Sequence, residues 1–87
     1  MENIKLHELR ELLEHVAFAS TKKEARSHLN KLKFRETNLK CMLNGYTLGH
    51  LSKAINCADQ ASGNVRDKEK FISDMESYWI NFENEVE

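Results

Sequence analysis

Apolar residues along this chain recur at the three-and-four spacing that lines one side of an α-helix. From Ile4 to Phe18 the stripe is Leu6, Leu9, Leu13 and Val16 with Leu12 beside it, and Glu8, Arg10, Glu11 and Glu14 occupy the other face. Ser20-Thr21-Lys22-Lys23-Glu24 reads as a capping box: the Thr21 hydroxyl accepts from the backbone N–H three residues on while Glu24 reaches back, so a second helix starts near Lys22. Its stripe of Ala25, Leu29, Leu32, Leu39, Leu43 and Tyr46 is interrupted only by Glu36, which predicts one long or slightly broken helix reaching Asn44. Thr37 and Asn38, residues that prefer caps to helix interiors, mark where a kink would fall. Asn44-Gly45 predicts the stop, with Gly45 left-handed and Thr47 capping the next helix.

The third helix carries Leu48, Leu51, Ile55 and Ala58, flanked by Ala54 and Cys57, and ends around Ala61-Ser62-Gly63-Asn64. Asn64 and Asp67 offer the cap and acidic first turn of a last helix. Its stripe is Val65, Ile72, Met75, Trp79, Phe82 and Val86, widened by Phe71 and Tyr78. The expected fold is all-α: residues 1–87 as a single helical domain of about four helices, an antiparallel bundle or an orthogonal array.

Composition narrows this further. With 87 residues, 40% of them hydrophobic and 31% charged, the chain can bury one core and is not of the disordered type. Zero prolines and three glycines leave little to interrupt helix. Apolar runs are only a few residues long, and Met1-Glu2-Asn3 opens without a basic flank and apolar region, so a soluble chain with no membrane span and no cleaved signal is expected. Cys41 and Cys57 are expected to be buried thiols in a reducing compartment, the cytoplasm.

The net charge of -1 hides a separation. Lys22, Lys23, Arg26, Lys31, Lys33, Arg35 and Lys40 form a basic block, whereas Asp74, Glu76, Glu83, Glu85 and Glu87 make the end of the chain acidic. Such blocks steer partners without determining chemistry.

Candidate chemistry is sparse. His7, Glu11 and His15 project from one side of the first helix, but two turns, about 12 Å, separate the histidines, too far to share one ion unless other helices close in, which leaves a metal-dependent module using His7 and His15 as a third reading. Cys57 and His50, the only thiol–imidazole pair close in sequence, lie about 10 Å apart on one helix and cannot touch. Gly-rich phosphate loops, HExxH and GxSxG are missing. No catalytic, cofactor or metal residues are therefore assigned, and a non-enzymatic protein is expected. Phe71, Tyr78, Trp79 and Phe82 read first as core. Tyr78 and Trp79 are adjacent, about 100° apart around the helix, so one of them sits toward the edge where aromatic anchors act.

The segment from Thr47 to Arg66 resembles the helix-turn-helix of bacterial repressors, in which a capped helix carrying Leu then Ala is followed by a short turn and a second helix that enters the major groove. The resemblance implies groove-facing roles for Asp59, Gln60, Ser62, Asn64 and Arg66. The chain departs from that pattern at Asn56, where the turn usually has Gly, and at Gly63, which would fall inside the recognition helix. In general make-up the chain is similar to small accessory proteins of bacteriophages and mobile elements, including cytoplasmic regulators of lysis timing, a resemblance that carries no residues across. The expected function is a small regulator or inhibitor that binds another protein, or itself as a homo-oligomer. Lys22, Arg26, Lys33, Tyr78 and Trp79 are its expected surface, with DNA binding through Gln60, Ser62, Asn64 and Arg66 as the competing reading.

Overall fold

Side-chain caps set the helix boundaries. A computed structural model describes residues 6–64 and 66–86 and contains α1 (Leu6–Ala17), α2 (Lys22–Leu39), α3 (Gly45–Ala61) and α4 (Lys68–Val86). The capping box forms at α2: Thr21 Oγ1 accepts from the Glu24 N–H at 3.0 Å, and Glu24 Oε1 accepts from the Ser20 N–H at 3.2 Å. Four of the backbone donors at each helix start have no partner within the helix, and caps of this kind satisfy them.

The apolar stripes meet as their periodicity requires. Leu9, Leu13, Val16 and Ala17 of α1, Ala25, Leu32 and Leu39 of α2, Leu51, Ala54, Ile55, Ala58 and Ala61 of α3, and Met75, Trp79 and Phe82 of α4 are all buried in one cluster. Each large side chain so buried contributes about 1.5–3 kcal/mol. Ile4 and Val65 lie outside the described residues. The helices form two hairpins, α1 with α2 and α3 with α4, and α3 packs against all three others. Among the described residues α2 and α4 do not meet, so α2 has neighbours on only two sides.

Two boundaries differ from the sequence expectation. The second helix runs through Arg35–Asn38 without a break, and Thr37 Oγ1 donates to the Lys33 carbonyl at 3.0 Å, the back-bonding that lets a threonine sit inside a helix. It stops at Leu39 rather than Asn44, where the Met42 and Leu43 N–H groups both turn back to the Leu39 carbonyl at 2.9 Å. Gly45 is not left-handed; it is the first residue of α3. Asn44, not Thr47, is the cap, its Oδ1 accepting from the Thr47 N–H at 2.7 Å. Asn is equally suited to end one helix and to start another, and here the start prevails.

At the far end of α3 the glycine signal holds. Gly63 has φ +69°, and the Ser62 N–H reaches the Ala58 and Asp59 carbonyls at 3.1 and 3.2 Å. Asn64 Oδ1 then accepts from the N–H groups of Arg66 and Asp67 at 3.0 and 2.9 Å, turning the chain into α4. This loop packs on the α1–α2 loop: the Gly63 N–H donates to Ala19 O at 3.1 Å, and Lys68 Nζ donates to Ala17 O at 2.6 Å. A Cβ on residue 63 would stand 3.3 Å from the Lys22 nitrogen. Gly63→Ala combines left-handed strain with that crowding, so it should cost about 1–2 kcal/mol of unfolding free energy with the helical circular dichroism spectrum retained; urea denaturation measures the difference.

Candidate functional site

The open side of α2 faces a groove shared with α1. Its lining includes Glu8, Glu11, Leu12 and His15 from α1 and His28, Lys31, Phe34 and Arg35 from α2, around a volume of about 590 Å³. Two cross-helix contacts fix its geometry. Arg35 Nη2 donates to Glu8 Oε1 at 2.6 Å at one end, and the His15 and His28 rings lie 4.8 Å apart at the other. These contacts are two turns apart on both helices, so α1 and α2 run antiparallel in strict register with Leu12 level with Lys31.

The groove is unfinished in two respects. Phe34 is 68% exposed on its rim, the cost of an apolar ring standing in water. His28 Nδ1 is buried and has no hydrogen-bond partner among the described residues, a state that costs about 1–3 kcal/mol. Sequence reasoning missed this face because Leu12 and Phe34 fall off the buried stripes of their own helices. Apolar residues standing off a stripe were the readable signal.

The residues expected from sequence scatter. Lys22 is engaged with Asp59, to whose main-chain carbonyl its ammonium donates and whose Oδ1 lies 3.6 Å away. Arg26 and Lys33 are exposed on the same side of α2, away from the groove, with Lys33 beside Lys53 and Asn56 of α3. Trp79 is corrected to core: it is 4% exposed and packs on Phe82 at 5.5 Å between ring centres. Tyr78 is the edge residue, half-buried with Lys53 Nζ 5.6 Å from its ring centre.

The helix-turn-helix geometry is not formed over Thr47–Arg66. Thr47 to Ala61 is one continuous helix, with Asn56 in its interior where the turn was expected. Alanines and leucine on both sides of Asn56 give the segment one uninterrupted apolar face, so nothing breaks it before Gly63. Of the expected groove readers, Ser62 is fully buried with its hydroxyl donating to Asp59 O at 2.5 Å. Asn64 is occupied by the turn, while Gln60 and Arg66 are exposed.

His7 Nε2 lies 3.7 Å from Glu11 Oε1, and His15 turns instead to His28. Among the described residues no three His, Cys, Asp or Glu side chains are grouped to hold a metal ion. Nor is any described helix long and apolar enough to cross a membrane. His50 stacks edge-on against Tyr46 at 4.9 Å.

The thiols differ from each other. Cys41 is exposed, contrary to expectation, because α2 ends before it and leaves it in the turn. Cys57 is half-buried beside the core, and burial, then the Asp74 carboxylate, push its pKa up from 9.0. No protein-family model matches the chain, and no curated protein or solved structure shows significant similarity to it.

These placements set two expected outcomes. A bulky maleimide near neutral pH should label Cys41 first, with Cys57 lagging until denaturant exposes it, because the thiolate is the reactive form and Cys57 is held protonated; mass spectrometry of timed quenches reads the order. Trp79→Ala should lose about 3–5 kcal/mol of stability, whereas Tyr78→Ala should lose far less; thermal melts of the two variants side by side check the assignment.

Proposed function

We propose that this chain is a small, non-enzymatic protein-binding module of the regulator or inhibitor type, working through the α1–α2 face. The observation that carries the reading is Phe34, a large aromatic ring held in water on the rim of a groove whose floor is apolar. A domain of this size needs its large side chains for its own core, so an aromatic left outside beside an open groove is matched to something that covers it. Aromatic anchors of that kind carry most of an interface's binding energy. Arg26, Lys31 and Lys33, exposed on α2, add a positive field that acts on the rate of encounter.

The test compares three immobilised proteins: the wild type, Phe34→Asp, and Ile80→Asp at another exposed apolar position, on α4. All three should melt at nearly the same temperature, since both positions are exposed. A partner held by the wild type and by Ile80→Asp should be lost from Phe34→Asp, by about 2 kcal/mol or more, roughly 30-fold in Kd. Equal retention by all three, measured by biolayer interferometry on the captured partner, removes the α1–α2 face from the function.

A further inference from the structure

We infer that the α1–α2 groove is completed by a second copy of this chain, related by a two-fold axis parallel to the helices, so that α1 and α2 of both copies form a four-helix core. The inference rests on the reading of this groove as a protein-binding face and names its occupant. It comes from the signs of charge on the two edges. Along α1 the edge is acidic, with Glu8 and Glu11 flanking Leu12; along α2 it is basic, with Lys31 and Arg35 flanking Phe34. An acidic helix laid in the groove would be repelled by the first edge and a basic helix by the second. The matching occupant has an apolar centre, one acidic edge and one basic edge, and this face of the chain itself has all three.

The register selects among symmetric arrangements. A two-fold axis parallel to the helices sets α1 of one copy over α2 of the other at the same height and antiparallel to it. Glu11 of each copy then meets Lys31 of the other, twice per dimer, because Leu12 and Lys31 are level within each chain. An axis perpendicular to the helices in the plane of the face would instead set Glu11 over Glu11 and Lys31 over Lys31. The free ends of both partners are available. Among the described residues Glu11, 55% exposed, has one ion-pair contact, His7 at 3.7 Å, and Lys31 makes no hydrogen bond or ion pair. The same arrangement covers Phe34 with the other copy's Leu12 edge and brings the two His15–His28 pairs together at one level. The isologous interface closes on itself, so assembly stops at two.

The experiment measures mass by sedimentation velocity from low micromolar to near-millimolar concentration, for the wild type, Glu11→Lys, Lys31→Glu, and an equimolar mixture of the two variants. The wild type should dimerise, with an affinity that weakens as salt rises. Each variant alone should dissociate, its Kd raised roughly tenfold or more, because each then carries two like-charge contacts across the axis. The mixture should recover dimer, since one chain has Lys at both positions and the other has Glu at both. Circular dichroism of each variant should match the wild type, both positions being exposed. A wild type that remains monomeric throughout, or a dimer that ignores both substitutions, or a mixture that stays dissociated, overturns the inference. If the wild type is monomeric and Phe34→Asp still loses a different protein, the second copy is excluded and the protein-binding reading stands. If Phe34→Asp changes no association of any kind, both fall.

Discussion

Lys68 donates to the carbonyls of Ala17 and Ala19, and the Gly63 N–H donates to the same Ala19, so the loop leading into α4 is fastened to the loop between α1 and α2. The ammonium sits where the last carbonyls of α1 lack donors and where the negative end of the helix dipole favours a cation. Lys22 makes the matching contact from the other side, at the C-terminal end of α3 through Asp59. Two helical hairpins, each formed by local pairing, are thereby joined at one end by cross-helix capping. The buried stripes need only align from there.

That junction also decides which surface stays open. With the two loops clasped, α3 lies in the middle and touches every other helix, while α4 closes over α1 and α3 and never reaches α2. The hairpin of α3 and α4 therefore covers one side of the α1–α2 pair and leaves the opposite seam in water. Phe34 and the His15–His28 pair mark that seam. Glu8 and Arg35 close its end but do not fill it.

The parts of the molecule fixed by local physics were legible in the sequence: the stripes of α1, α3 and α4, the capping box at Thr21, and the glycine stop at Gly63. Asn44-Gly45 misled because a cap residue between two helices serves either one, and only the Asn44–Thr47 hydrogen bond distinguishes the cases. Cys41 followed that error, since a residue two positions past a helix end is no longer on its buried face. Trp79 was readable from its spacing with Met75 and Phe82, and the choice between it and Tyr78 needed the position of α3. The groove was the hardest to read. Its lining comes from residues that fail the stripe rule on each of two helices, and the antiparallel register that pairs them is a tertiary fact.

Charge shows the same division between local and tertiary. The basic block between Lys22 and Lys40 looks like one positive surface in the sequence, yet folding takes Lys22 to Asp59 and Arg35 to Glu8. Arg26 and Lys33 point away from the groove, and Lys31 alone of the unpaired bases lines it. The acidic edge that opposes it comes from α1, not from the acidic end of the chain. Net charge and block charge thus describe long-range steering, which salt screens over about 10 Å, whereas the proposed dimer discriminates by which single carboxylate stands level with which single ammonium. The proposed interface is compatible with a chain of nearly zero net charge, and its selectivity rests on register, which a one-signed peptide or a phosphate backbone cannot reproduce.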